Sequence, residues 1–249
     1  MLNPLTAFGR ALRDLFDDFF LIICCNLVWF CTTAPLWAVA LYMLVDGQFW
    51  LAALVTMLGT LPAGPMTMGL VALAWRLADG RVSGFRDFFG AVWRYARTGW
   101  ILFGGWMLGF LLILFNLGYY GTLQGWVGVI LTTIAIYILL FWLSLLIYVP
   151  ALFLLQEVPT PRMIIRSSTL MILGRPIFTL LTLAMMGLIL LISFSLVAPL
   201  ALLTVGWLAL WGMHTTRQQI ADAERRKQEA EAATAPSEER GRRGQVRPK

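Results

Sequence analysis

Several apolar runs in this chain are long enough to cross a lipid bilayer, and they constrain the fold more than any other feature. The longest, IFTLLTLAMMGLILLISFSLVAPLALLTVGWLALWGM, covers residues 177–213. A membrane-crossing helix needs about 20 apolar residues, and its backbone groups must pair within the segment. The runs are continuous rather than alternating, which excludes a membrane β-barrel. Since only 13% of the residues are charged, about half the share of a soluble domain, we predict an all-α, polytopic membrane protein.

The runs divide into six predicted transmembrane helices. A single helix over 177–213 would be about 55 Å long, well beyond a hydrocarbon core of about 30 Å. Pro199 cannot continue the hydrogen-bond ladder, so we place a break in SFSLVAP, residues 193–199. The predicted spans are residues 19–44, 50–74, 99–117, 126–155, 177–197 and 200–213.

The chain is predicted to have a membrane domain and a tail. Residues 1–216 form the membrane domain, and residues 217–249 form a charged cytoplasmic tail. The tail favours helix to about Ala233 and, having no apolar anchors beyond Pro236, is predicted to be disordered from there.

The basic residues fix the predicted orientation. With six spans and a cytoplasmic N-terminus, all 19 lysines and arginines lie in cytoplasmic segments, and only Asp46 lies outside. This is the positive-inside pattern, whereas five spans would put the basic tail outside. Both termini are therefore predicted to be cytoplasmic, in a multi-pass protein of the cell membrane. The net charge of +6 follows from this topology, so the expected partners are the lipid bilayer and its anionic inner-leaflet lipids, and not nucleic acid.

A short amphipathic helix is predicted on the cytoplasmic surface before spans 1, 3 and 5. The three helices begin near residues 4, 83 and 160, with Ser83 and Thr160 as N-caps. The second helix carries the candidate interfacial or partner face, which combines aromatic rings with cations: Phe85, Arg86, Phe88, Phe89, Arg94 and Arg97. The regular spacing indicates three copies of one unit, a surface helix followed by a span out and a span back. Unrelated helices that obey the same membrane rules explain the spacing equally well.

The sequence carries no motif for catalysis, nucleotide binding or metal coordination. It has no G-x-S-x-G, H-E-x-x-H, Walker or dinucleotide-binding pattern, and its single histidine, His214, has no neighbouring cysteine or carboxylate in the sequence. The central parts of the spans hold no ionisable Lys, Arg, Asp, Glu or His, which argues against a proton-coupled carrier or pump. We therefore expect a non-enzymatic protein without a cofactor.

Polar residues do occur within the spans, and most are predicted to hydrogen-bond between helices. They are Asn26, Thr32, Thr33, Thr67, Asn116, Thr132, Thr133 and Ser144. Asn26 and Trp29 lie one helical turn apart, and Pro62 and Pro65 are predicted to break the second span, so these four residues form a candidate polar groove. Proline kinks packed against neighbouring helices are the alternative.

Small and aromatic residues predict where the spans pack and where they end. Gly59, Gly64 and Gly69 allow close backbone approach along the second span. Gly105 and Gly109 fit a small-residue contact, within the chain or between chains. Tryptophans near the span ends are predicted to form an interfacial belt; they are Trp50, Trp75, Trp100, Trp126 and Trp211.

Two stretches resemble the YesL-like family of bacterial membrane proteins. They are NLVWFCTTAP (residues 26–35) and LPAGPMTMGLVALAWRLADGRVSGFRDFF (residues 61–89), and VPALFLLQEVPTPRMIIRSSTLMILGRP (residues 149–176) is also similar. The family pattern has Asn and Trp in the first span, Gly-Pro in the second and an F-F-containing amphipathic stretch after it. The resemblance covers roughly residues 16–211. The chain departs from the family pattern in two places: the stretch between Pro35 and Leu61 is longer than in the pattern, and the chain carries a basic tail.

The resemblance implies a helper role in sugar import, because members of that family are often encoded beside carbohydrate-uptake systems. The family has no established activity or binding residues. Our functional hypothesis is a non-enzymatic membrane accessory protein associated with carbohydrate uptake or sensing, with ABC transporter permease subunits as partners. The alternative hypothesis is a small transporter for an uncharged solute such as a sugar, with Asn26, Trp29, Pro62 and Pro65 at its groove.

Overall fold

The computed structural model describes residues 4–156 and 160–234, and these ranges contain helices and short turns but no strand. The all-α prediction is confirmed. The helices are α1 (Pro4–Asp17), α2 (Phe19–Val45), α3 (Phe49–Ala78), α4 (Phe85–Arg94), α5 (Ala96–Gly99), α6 (Gly105–Thr122), α7 (Trp126–Leu155), α8 (Pro161–Gly174), α9 (Pro176–Leu196) and α10 (Val205–Thr234). A first π-helical turn (Trp100–Gly104) joins α5 to α6, and a second (Leu200–Thr204) leads into α10.

Five of these helices are long and apolar enough to cross a bilayer. They are α2, α3, the continuous α5–α6 helix, α7 and α9, which fits the predicted helical membrane protein. The sixth predicted span is not among them, because its apolar part continues into the charged tail as one helix, α10. The sixth crossing and the orientation of the chain stay predictions.

The break between α9 and α10 lies inside SFSLVAP. α9 ends at Leu196, and Val197 has a φ of 57°, a left-handed value that a β-branched residue rarely adopts. Hydrogen bonds hold this turn: the Val197 N–H donates to the Ser193 carbonyl at 2.9 Å, and the Thr204 hydroxyl donates to the Ser193 hydroxyl at 2.7 Å. The strained backbone is therefore fixed from both sides of the turn.

The same order of helices occurs three times along the chain, and the three units contact one another in a closed ring. Each unit has an amphipathic helix and two long helical arms: α1–α3, α4–α7 and α8–α10. Each amphipathic helix packs on the last arm of the preceding unit, α4 on α3, α8 on α7 and, closing the ring, α1 on α10. The last arms, α3, α7 and α10, also contact one another. This cyclic arrangement agrees with the three-copy hypothesis.

The amphipathic helices bury the same positions of their sequences. Counting from the first residue of each helix, the buried side chains fall at the fourth, eighth and twelfth positions. They are Ala7, Ala11 and Leu15 in α1, Phe88 and Val92 in α4, and Ile164, Ser168 and Ile172 in α8. In the same register, Phe8-Gly9 of α1 matches Phe89-Gly90 of α4, and Arg13 matches Arg94. The shared register, like the cyclic arrangement, agrees with the three-copy hypothesis.

One of the predicted N-caps is wrong. α8 does begin with Thr160 as the cap and Pro161 as the first helical residue. The cap of α4 is Gly84 rather than Ser83, because the Asp87 carboxylate accepts a hydrogen bond from the Gly84 N–H at 3.0 Å. The Ser83 hydroxyl donates instead to the Arg81 carbonyl, at 3.4 Å and outside the helix.

α3 is the most enclosed of the long helices, with fourteen of its thirty residues buried. At Gly64 a Cβ atom would lie 2.6 Å from the Gly99 carbonyl oxygen, so the backbones of α3 and α5 touch. At Gly69 a Cβ atom would lie 2.5 Å from Val92, and at Gly59 it would lie 2.5 Å from Trp37. The predicted close backbone approach is confirmed at Gly64, whereas Gly59 and Gly69 make room for side chains.

Candidate functional site

Asn26 of the candidate groove connects α2 to the start of α10. Its Nδ2 donates hydrogen bonds to the carbonyls of Leu200 and Ala201, both at 2.8 Å. Its Oδ1 accepts one from the Gly206 N–H at 2.8 Å, and the side chain is fully buried. A π-helical turn shifts the usual i to i−4 pairing of a helix, and Asn26 supplies partners to backbone groups at that turn.

The other groove residues lie on α2 and α3, at contacts with neighbouring helices. Trp29 is 5% exposed, donates its indole N–H to the Thr67 hydroxyl at 2.9 Å, and packs edge-on against Trp37. Pro65 is buried where α3 meets Gly99, and Pro62 is half-buried. Both prolines lie inside a continuous helix, so the predicted break of the second span is wrong. The four residues therefore line packed helix contacts, in which their polar atoms already have partners in the chain.

Most of the other polar residues in the spans pair within their own helix. The hydroxyls of Thr33 and Ser144 donate to the carbonyls of Trp29 and Leu140, four residues earlier. Thr32, Thr133 and Asn116 do the same. The prediction of bonds between helices is wrong for these residues, because a short polar side chain reaches its own i−4 carbonyl without a neighbouring helix.

α4 presents the predicted interfacial or partner face, but its aromatic rings point in two directions. Phe88 is fully buried against α3, where Gly69 makes room for the ring, and it packs against Phe89. Phe85 and Phe89 are each 39% exposed and Trp93 is 80% exposed. The structure therefore fixes α4 by its inner face and leaves three aromatic rings on its outer face.

The arginines of the predicted face are all exposed. Arg86, Arg94 and Arg97 have no ion-pair partner among the residues that the structure describes. The neighbouring Arg76 differs, because it pairs with Asp87 at 2.8 Å. The outer surface of α4 thus combines exposed aromatic rings with exposed guanidinium groups; we call Phe85, Arg86, Phe89, Trp93 and Arg94 the α4 face.

A polar cluster on α10 joins the three units, and sequence analysis missed it. Arg217 donates to the Ala78 carbonyl at 3.0 Å and to the Asp79 carboxylate at 2.6 Å, at the C-terminal end of α3. A cation there satisfies terminal carbonyls and complements the helix dipole. Gln219 donates to the Tyr148 hydroxyl at 2.8 Å, which links α10 to α7.

Two further contacts extend this cluster. Arg175, between α8 and α9, pairs with Asp222. His214 contacts Asp14 of α1 at 2.7 Å. The histidine therefore has a carboxylate neighbour in the structure, although the two residues lie 200 positions apart in the sequence. Contacts between residues so far apart in the sequence leave no local pattern, and the closure of α1 on α10 brings His214 to Asp14.

Trp211 corrects the predicted interfacial belt. It is fully buried, with its ring centroid 5.1 Å from that of Phe8. Trp50 and Trp126 are 79% and 75% exposed, as belt residues are expected to be. The difference arises because α10 lies between α1, α3 and α7, so its aromatic residue contacts protein rather than the membrane interface.

An apolar cleft of about 250 Å³ lies between the α5–α6 helix, α7 and α8. Beside it, Trp106 and Trp142 each donate the indole N–H to the other's backbone carbonyl, at 3.0 and 2.9 Å. At Gly109 a Cβ atom would lie 2.1 Å from Trp142, whereas Gly105 has no neighbour within 4 Å. The predicted small-residue contact is therefore made within the chain, by Gly109.

The described residues contain no group of three or more His, Cys, Asp or Glu side chains that could hold a metal ion. The expectation of a non-enzymatic protein without a cofactor stays a prediction. No protein-family model matches the chain, and searches of curated proteins and of solved structures find no significant match. The resemblance to the YesL-like family therefore also stays a prediction.

Proposed function

We propose that this chain is a non-enzymatic accessory protein of the cell membrane whose α4 face docks onto permease subunits of a carbohydrate ABC transporter. The observation that carries the proposal is the arrangement of α4. Its inner face is fixed on α3 by Phe88 and Val92, while Phe85, Phe89 and Trp93 point outward. A helix held in this way presents its outer side chains without a large ordering cost on binding.

The chemistry of the α4 face suits a protein partner. Aromatic residues and arginine are the residue types enriched in protein interfaces and in their energetic hot spots. The outer faces of the other two amphipathic helices are less aromatic: in α1 the ring of Phe8 is covered by Trp207 and Trp211 of α10, and α8 contains no aromatic residue. This contrast selects α4 as the docking helix.

The carbohydrate part of the proposal rests on the resemblance to the YesL-like family. The alternative, a carrier for an uncharged solute, has less support, because Asn26 and Trp29 have hydrogen-bond partners within the chain. A carrier would use these polar groups to replace the hydration of its solute. Solute uptake into proteoliposomes that contain the wild-type protein would favour the carrier instead.

The proposed topology places both termini in the cytoplasm. Arg217 contacts Asp79 and His214 contacts Asp14, so α10, the end of α3 and α1 meet at one end of the molecule. That end carries the amphipathic helices, of which α4 and α8 have an excess of arginine, and a basic surface favours the cytoplasmic leaflet.

In this proposal the third hairpin, α9–α10, enters the membrane from the cytoplasm and turns inside it, in place of the fifth and sixth predicted crossings. Its turn lies beside Asn26, whereas α2 continues from Asn26 to Val45, about 28 Å further at 1.5 Å per residue. The turn residues Leu196 to Leu200 are apolar, whereas the α2–α3 turn contains Asp46 and Gln48. An apolar turn suits a lipid environment, and a polar turn suits water.

A photo-crosslinking amino acid at Phe89 tests the docking proposal in native membranes. The matched control carries the same probe at Phe16 of α1, which is 67% exposed and lies outside the α4 face. We expect the Phe89 probe to capture a transporter permease subunit and the Phe16 probe to capture only lipid, as identified by mass spectrometry. Capture of lipid alone, or of a second copy of this chain, by the Phe89 probe would contradict the proposal.

A further inference from the structure

We propose that the cleft between the α5–α6 helix, α7 and α8 binds one anionic phospholipid, with an acyl chain in the cleft and its phosphate on Arg162 and Arg166. The lining is almost wholly apolar. Side chains from three helices contribute to it: Leu102, Trp106, Trp142, Val149, Ile165 and Thr169. The inference does not depend on the accessory role, because it concerns a different surface from the α4 face.

The position of the arginines on α8 indicates the charge of the ligand. At about 100° per residue, Ile165 and Thr169, which line the cleft, lie within one 100° arc together with Arg162 and Arg166. Both arginines are exposed, and neither has an ion-pair partner among the described residues. Guanidinium groups bind phosphate through paired N–H donors. Two exposed cations beside an apolar cleft thus match the two parts of an anionic lipid.

Comparison with α1 shows that the cleft is not a general property of this fold. The residues of α1 in the register of Ile165 and Thr169 are Phe8 and Leu12. Phe8 packs against Trp207 and Trp211, at centroid distances of 5.4 and 5.1 Å, so rings fill the corresponding junction. In α8 the smaller Ile165 and Thr169 leave the space open. The occupant is a bilayer lipid, since two of the three helices that line the cleft, α5–α6 and α7, are long and apolar enough to cross a membrane.

Native mass spectrometry of the full chain in mild detergent tests this site with two probes, phosphatidylglycerol and phosphatidylcholine. We expect one phosphatidylglycerol to stay bound and phosphatidylcholine to be lost. Arg162→Gln/Arg166→Gln should weaken phosphatidylglycerol binding about tenfold or more, because the phosphate loses both cationic partners. The control Arg10→Gln/Arg13→Gln removes the same charge from α1, whose junction with α10 is filled by aromatic rings, and should change binding less than about twofold.

A second variant keeps the charge and fills the cleft. Leu146→Trp places a larger side chain at a position that lines the cleft and is 37% exposed, so the fold should tolerate it, which a thermal unfolding midpoint checks. We expect this variant to lose the lipid although Arg162 and Arg166 are intact. Equal retention of both lipids, equal effects of the two arginine pairs, or unchanged binding in Leu146→Trp would each overturn the proposal.

Discussion

α3 and the α5–α6 helix are both long apolar helices, yet one is at the centre of the molecule and the other at its edge. Fourteen residues of α3 are buried, and none of α6 is. The glycines of α3 contact a tryptophan, a backbone and a valine of three different helices, whereas Gly105, Gly118 and Gly121 of α6 have no neighbour within 4 Å. Hydropathy identifies both helices, but only the contacts of their small residues distinguish protein-facing from lipid-facing sides.

The largest effect is expected for Gly64→Ala at the crossing of α3 and α5. The added Cβ would lie 2.6 Å from the Gly99 carbonyl oxygen, and a backbone atom cannot move aside as a side-chain tip can. We expect a loss of about 3 kcal/mol or more of stability, measured as a lower unfolding midpoint in detergent. Gly99→Ala should have a similar effect, because its Cβ would lie 2.6 Å from Gly64. A midpoint that stays at the wild-type value would show that the two helices do not touch.

The next effect is expected for Asn26→Leu, with Asn116→Leu of α6 as its control. Asn26 bonds backbone groups of Leu200, Ala201 and Gly206, and its loss should destabilise the protein by about 2 kcal/mol through buried groups left unpaired. Asn116 bonds only its own helix, at Leu112, so its variant should stay within about 0.5 kcal/mol of wild type. Equal losses of stability in the two variants would contradict the role of Asn26 as the link between α2 and the start of α10.

A smaller effect is expected for Gly109→Ala, the one glycine of α6 with a close neighbour. Its Cβ would meet the Trp142 ring at 2.1 Å, and the ring can shift at the cost of its indole hydrogen bond to Trp106. We expect about 1 kcal/mol of destabilisation, together with a change in tryptophan fluorescence. An unchanged emission spectrum would show that this pair does not form.

The smallest effect is expected for Gly118→Ala, on the open side of α6. Nothing lies within 4 Å of the added Cβ, and alanine favours helix over glycine by up to about 1 kcal/mol. The unfolding midpoint should therefore stay the same or rise slightly. A clear decrease would show that another chain covers this side of α6, so the variant also reports on self-association.

The helices themselves could be predicted because bilayer length and backbone pairing leave few alternatives. α7 begins at Trp126 and ends at Leu155, as predicted, and the ends of α2 and α9 differ by one residue from the predicted ones. Apolar composition fixes such ends locally, without information about neighbouring helices.

The contacts between helices could not be predicted in the same way. Trp211 looks like an interfacial residue in the sequence, but the ring closure of α1 on α10 buries it. His214 and Asp14 become neighbours through the same closure, and Arg217 meets Asp79 where α10 packs on the end of α3. The sequence does contain one signal for the closure. Phe8-Gly9 and Phe89-Gly90 occupy the same register, which marks α1 and α4 as equivalent helices that each pack on a last arm.

Single-cysteine labelling of intact cells tests the central claim most directly, that the three units enter the membrane from the cytoplasm. In a variant without Cys24, Cys25 and Cys31, one cysteine is placed at Gln124 in the α6–α7 turn or at Ala221 of α10, both exposed. The account predicts that a membrane-impermeant reagent labels residue 124 from outside, and residue 221 only after the inner membrane is opened. Labelling of residue 221 in intact cells would contradict it.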